Sequence, residues 1–270
     1  MDHQIPDYKT LYLWASIDLL GETSNFTTRA SIVTYRKSEH PKKNCLFSKE
    51  HDKFVKVIPC REGAPICCHE WLDPEGPFCF IYSTIFKKLL FRLPFPSFER
   101  ALLIEVNVAP AQLHPNSWAF VWAFSIVCNY FGHPPSVDVF LYFFEVKNSG
   151  QKLWESFNGV AGRVLLTLFQ QSYKVFKGKF FKIRCNANGP SLLDGFPLYW
   201  TQKPKFKNTR RLEDLPPRER EVNDFLSNLQ AVFNTAELIK HEYNPTCLKT
   251  YIGIPLSFTS ANAILHVYVF

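Results

Sequence analysis

"QLHPNSWAFVWAFSIVCNYFG", Gln112 to Gly132, sets a polar His-Pro-Asn-Ser tetrad in front of a long apolar run that carries no charge. Pro115 suits the first position of a helix, where its missing N–H costs nothing and its fixed φ is already helical. His114 then falls at the N-cap, and Asn116 and Ser117 can bond to the unpaired backbone groups of a first turn. From Trp118 to Phe131 the apolar residues cover nearly every side of such a helix, which marks a central buried element. The run, at about 14 to 17 residues, is short of the roughly 20 that span a bilayer. The stretch therefore reads as a capped core helix whose structural start is His114, Pro115, Asn116, Ser117 and Trp118. The competing readings are His114 as a general base and Cys128 as a nucleophile, but a thiol inside an apolar run is a poor source of thiolate.

Outward from this helix, the composition supports an extensive core. The chain has 270 residues, 46% of them hydrophobic, with 26 Phe. At that length roughly 70–75% of the unfolded surface can be buried, which offsets the entropy of ordering the chain. The N-terminal residues carry acids and no basic stretch ahead of their apolar positions, so no secretory signal is read. An intracellular location, nucleus or cytoplasm, is expected. The eight cysteines are then expected to be reduced, and the Asn25-Phe26-Thr27 sequon carries no expectation of glycosylation.

The fold class expected is α+β, a helix-rich globular domain with one central buried helix and a small set of strands. Residues 1–50 read as a poorly ordered leader, 51–243 as the domain, and 244–270 as an apolar tail, strand-like or unstructured, with no charge after Lys249. Within the domain, "FVKVIPC" (54–60) and "KFFKIRC" (179–185) alternate like strands, the second with Lys182 and Arg184 opposite Phe181 and Ile183. Apolar residues at three- and four-residue intervals predict a helix over "FCFIYSTIFKKLLFRLP" (78–94), and a second is expected over "PSFERALLIEVNVAP" (96–110). "RVLLTLFQQSYKVFKG" (163–178) predicts a helix closed by Gly178, and "VDVFLYFFEVKNSGQKLWESFNG" (137–159) fits helix and strand equally well. Further helices are expected in "LEDLPPREREVNDFLSNL" (212–229) and "NTAELIKHEY" (234–243).

Chemistry is sparse. Cys60, Cys67, Cys68, His69 and Cys79 include ligand types that zinc takes, but their spacing lacks a paired C-x₂-C arrangement, and no metal or other cofactor is expected. G-x-S-x-G, a phosphate-binding Gly-rich loop, G-x-G-x-x-G and H-E-x-x-H are all absent. No small-molecule substrate is evident. The strongest functional signal is charge: residues 163–220 hold 13 Lys or Arg against 4 Asp or Glu. Tyr173, Lys174, Lys177, Lys179, Lys182 and Arg184, with Lys203, Lys205, Lys207, Arg210 and Arg211 downstream, form a candidate nucleic-acid patch. Its cations would neutralise phosphates of DNA or RNA while exposed aromatics stack on bases. The alternative is a strand whose Phe180, Phe181 and Ile183 belong to the core and whose other face is solvated.

The block "FKKLLFRLPFPSFERALLIEVNVAPAQLHPNSWAFVWAFSIVCNYFGHPPSVDVFLYFF" closely resembles plant proteins of the gypsy-type transposon, or gypsy-type transposase, domain family. "LFQQSYKVFKGKFFKIR", "GFPLYWTQKPKFK" and "EREVNDFLSNL" look like later blocks of the same family. The resemblance implies a retroelement-derived protein and assigns no catalytic residue. The residues themselves lack the D-[ST]-G of a retroviral-type protease, the Y-x-D-D of a polymerase and a C-x₂-C-x₄-H-x₄-C knuckle. A non-catalytic structural or nucleic-acid-associated role, like that of a capsid or nucleocapsid, is the first expectation. The alternatives are a metal-dependent transposase-type nuclease, for which Glu99, Glu105, Asp138 and Glu145 are the acids considered, and a protein-interaction module.

Overall fold

The computed structural model describes residues 7–37, 55–69, 76–91, 93–147, 154–167, 176–185, 193, 195–206, 209–229 and 232–253. It is an α+β protein with ten α-helices and seven short strands among those residues. By contact the chain groups into two compact units, each assembled from several segments. The first unit comprises residues 1–115, 148–155 and 173–204, and the second comprises 116–147, 156–172 and 205–270.

The first unit opens with helices α1 (Tyr8–Leu11), α2 (Ile17–Leu20) and α3 (Arg29–Lys37). The expected leader is thus helical over its described part, because Leu19, Ile32 and Tyr35 are sunk into the core and hold it in place. Residues 38–50 of that leader lie outside the described residues. A three-stranded antiparallel sheet follows, with β6 (Phe180–Cys185) between β1 (Val55–Ile58) and β2 (Cys79–Tyr82). Ile183 sits at the centre, opposite Val57 on one side and Cys79 on the other. Phe181, on the same face, packs its ring against Phe26, Tyr35 and Phe86. On the other face Phe180 meets Phe80 and Tyr82 edge-on.

The helix expected over 78–94 is corrected here: Cys79–Tyr82 is strand β2, and only Ser83–Lys87 forms a helix, α4. All four β2 residues are buried. A segment apolar on both faces has no period to read, and pairing with β6 decides its conformation. Helix α5 (Ser97–Val106) ends at Asn107, which adopts a left-handed conformation with φ 53°. Its side-chain Nδ2 donates to the carbonyl of Lys203, 2.9 Å away.

In the second unit α6 (Pro115–Tyr130) is the longest element, and every residue from Ser117 to Cys128 is buried. Among the described residues no helix is long and apolar enough to cross a membrane. The ambiguous segment after it is both things in turn, helix α7 (Val137–Phe143) running directly into strand β3 (Phe144–Lys147). Strand β3 pairs antiparallel with β4 (Ser156–Gly159). Phe124, Phe140, Phe144 and Phe157 meet as a ring cluster, with Phe140 stacked on Phe144 at 4.6 Å. Arg163 to Thr167 does not continue the expected helix; Leu166–Thr167 is strand β5, paired in parallel with β7 (Phe233–Asn234). Residues 168–175 of that expectation lie outside the described residues. Helices α8 (Pro217–Ser227), α9 (Thr235–His241) and α10 (Pro245–Ile252) complete the unit. Asn234 caps α9 through its side chain, accepting from the amides of Ala236 and Glu237. Helix α10 falls within the stretch 244–270 expected as a strand-like or unstructured tail, and is held by the buried Leu248 and Ile252; residues 254–270 lie outside the described residues.

The start of α6 is tied to the sheet beside it. Ser117 Oγ accepts a hydrogen bond from the Phe157 amide at 2.9 Å, so the serine satisfies a donor of β4. Ser117→Ala leaves that buried N–H without its acceptor and is expected to cost about 1–3 kcal/mol. Trp118→Ala, at a residue 1% exposed, is expected to cost about 3–5 kcal/mol. Urea denaturation followed by circular dichroism measures both, and a loss for Trp118→Ala no larger than that of a surface change would contradict a central role for α6.

Candidate nucleic-acid interface

The structure disperses the basic segment that the sequence singles out. Tyr173, Lys174 and Lys207 lie outside the described residues. Lys182 and Arg184 are on the central strand and only 8% exposed each. The Lys182 ammonium lies 4.3 Å from the centre of the Phe78 ring, and the Arg184 guanidinium donates to the Gly76 carbonyl. Lys177 pairs with Glu22 at 2.8 Å and also covers the Trp154 ring. In the second unit Arg210 pairs with Asp138 at 2.6 Å, and Arg211 with Glu213 at 3.6 Å. Lys179 is half-buried in the first unit, while Lys203 there and Lys205 in the second are exposed. None of these three forms an ion pair among the described residues. Phe180 and Phe181 are fully buried, so neither ring presents a face to a base.

Positive charge is divided unequally between the two units. The described residues of the first unit hold fourteen Lys or Arg and seven Asp or Glu, a net of +7. Those of the second hold nine of each, a net of zero. The segment with the greatest linear excess thus straddles a strongly basic unit and a balanced one.

Gln112 to His114 form a polar junction in the first unit that the sequence shows only faintly. The Gln112 side chain is 2% exposed and pairs with the Thr201 backbone in both directions. Its amide donates to the Thr201 carbonyl at 2.9 Å, and its Oε1 accepts from the Thr201 amide at 3.0 Å. The Gln112 carbonyl accepts from the Glu155 amide, and the His114 amide donates to the Glu155 carbonyl, each at 2.9 Å. His114 immediately precedes α6, with its ring edge-on to Phe176 at 4.8 Å. Nearby, the Trp154 indole donates to the Tyr82 hydroxyl at 2.7 Å. A lone amide in the apolar run "VAPAQL" was the available signal for Gln112; nothing local marks Glu155 or Thr201.

The cysteines and acids show no assembled chemistry. Cys60, Cys67, Cys68, Cys79 and Cys128 are buried, and burial pushes the thiols of Cys60 and Cys67 up to about 11 and about 12. Thiols held neutral are weak nucleophiles. Cys67 lies in a turn. Glu99 and Glu105 are on α5 of the first unit, while Asp138 and Glu145 are on α7 and β3 of the second. Among the described residues no three His, Cys, Asp or Glu side chains converge in a group able to hold a metal ion.

Burial shifts two groups at the polar junction in opposite senses. Glu155 is 6% exposed and among the described residues its Oε2 accepts no hydrogen bond. Desolvation raises its carboxyl from 4.5 to about 7, and the same cause lowers the His114 imidazole from 6.5 to about 4. For Glu155 the unfolded chain releases its proton first, so stability falls as pH rises from about 4.5 to about 7 and is then level. For His114 the unfolded chain takes up a proton first, so stability falls as pH drops from about 6.5 to about 4. The two trends oppose each other across most of the same window. Glu155→Gln removes the first, and the variant is expected to exceed wild type by roughly 1–3 kcal/mol at pH 8. Its stability should rise from pH 4 to pH 6.5 more steeply than that of wild type. Thermal denaturation across this range measures both, and parallel pH profiles for the two proteins would refute the Glu155 assignment.

Residues 81–148 match the family model described as "Putative gypsy type transposon". The matched region runs from β2 through α4, α5 and α6 to β3, and includes the Gln112–His114 junction. No curated protein and no solved structure matches the chain. Over residues 81–148, about a quarter of its length, the chain is therefore similar to the gypsy-type transposon family.

Proposed function

We propose that this protein is a non-catalytic structural component that associates with nucleic acid, and that its first unit supplies the contact. The observation that carries the reading is the partition of charge: a net of +7 on the described residues of one unit and zero on those of the other. A balanced unit has little long-range attraction for a polyanion, whereas a field of one sign steers phosphate backbones toward the unit that bears it. Contact of this kind releases counterions from the nucleic acid and is steeply salt-dependent. It needs no base-specific geometry, which accords with a set of cations spread over several elements.

Fluorescence anisotropy of the full chain with labelled DNA and RNA tests the proposal. Binding is expected at about 50 mM salt and should weaken by at least about tenfold by about 200 mM. Absence of binding to either probe at the lower salt would overturn it.

A further inference from the structure

We infer that the phosphate-contacting surface is formed by α3 and the C-terminal end of α4, and not by strand β6; the inference rests on the nucleic-acid reading proposed above. Neither α3 (Arg29–Lys37) nor α4 (Ser83–Lys87) contains an acidic residue. Arg36 and Lys37 occupy the last turn of α3, and Lys87 ends α4 with Lys88 as its C-cap. Arg29, Arg36, Lys37 and Lys88 are exposed. On a helix of 3.6 residues per turn, Arg29, Val33 and Arg36 share one side, and Val33 is exposed as well.

Two contacts link Tyr35, near the end of α3, to α4, one at its first residue and one at its last. The Tyr35 hydroxyl donates to the Ser83 carbonyl at 3.4 Å, and the Lys87 ammonium sits 4.2 Å from the centre of the Tyr35 ring. Beneath them Tyr35 and Phe86 both pack on Phe181 of β6. The cations are therefore mounted on a rigid aromatic base, and the placement of each doublet follows from the fold. Cations in a last turn complement the helix macrodipole, which favours one such residue per helix but does not require doublets on two neighbouring helices. Strand β6 offers the reverse arrangement, with Lys182 and Arg184 buried and engaged.

The chemistry of this surface selects its partner. Tyr35, the aromatic nearest the cations, is 4% exposed and covered by Lys87. Among the described residues of α3 and α4 no ring is exposed for base stacking, so the contact is with the phosphate backbone and is indifferent to sequence. The partner is a nucleic acid read through its phosphates.

Full-length Arg36→Gln/Lys37→Gln/Lys88→Gln tests the assignment against wild type and against Lys147→Gln/Lys249→Gln, which removes exposed cations of the second unit. All three proteins are titrated into labelled duplexes of two unrelated sequences over a range of salt, and unchanged circular dichroism verifies their folds. The triple variant is expected to bind about tenfold more weakly at low salt, with its logarithmic salt slope smaller by about three. The double variant and the change of sequence should alter binding little. If wild type binds and the triple variant matches it in affinity and slope, the surface is wrong while the nucleic-acid reading stands. A marked preference for one duplex sequence would overturn the backbone-only contact. If wild type does not bind at low salt, the nucleic-acid reading fails and this assignment fails with it.

Discussion

A helix without a polar side can be stable only where its whole circumference is covered, and α6 imposes that condition on the second unit. Every residue from Ser117 to Cys128 is buried, so neighbouring elements must present apolar surface. Helix α7 and strands β3 and β4 do so with Phe140, Phe144 and Phe157, whose rings meet edge-on or stacked. The few polar groups on α6 are then obliged to find partners. Ser117 accepts from a β4 amide, and the Trp122 indole donates to the Glu242 carboxylate at 2.8 Å. Because an orphaned polar atom in such surroundings costs more than a made bond contributes, these pairings fix how the covering elements sit on the helix.

The first unit meets the same requirement with a strand in place of a helix. β6 is paired on both edges and covered on both faces, so its long cationic side chains are drawn inward with its aromatics. Lys182 and Arg184 tolerate this because their stems are apolar and their heads find compensation, one over the Phe78 ring and the other at the Gly76 carbonyl. Charge along the chain and charge on the surface are therefore different quantities. A run of lysines on a central strand says where the strand needs internal partners; it does not say where a polyanion would dock.

This explains why some elements were legible and others were not. The start of α6 could be read from Pro115 because a residue without an N–H suits the first helical turn by itself. The cap of α9 is equally local, since Asn234 bonds amides only two and three residues on. The strand at Cys79–Tyr82 was hidden because its neighbour in the sheet, β6, lies about a hundred residues away. The pairing of Gln112 with Thr201 and the burial of Glu155 likewise depend on segments remote in sequence. The 137–147 segment failed to declare itself because it changes from helix to strand between Phe143 and Phe144, and its apolar residues serve both periods.

A net of +7 on one unit carries a cost in self-repulsion, and where the cations sit determines how much of it the fold must bear. At the end of α3 the helix macrodipole presents its negative end, which partly offsets the repulsion between Arg36 and Lys37. At Lys87 the Tyr35 ring face contributes a second favourable interaction that needs no counter-ion. An Asp or Glu in the same place would stabilise the helices by a similar amount while cancelling the outward field. Stabilisation by backbone dipole and aromatic face is thus the arrangement that lets a positively charged surface coexist with a well-packed core.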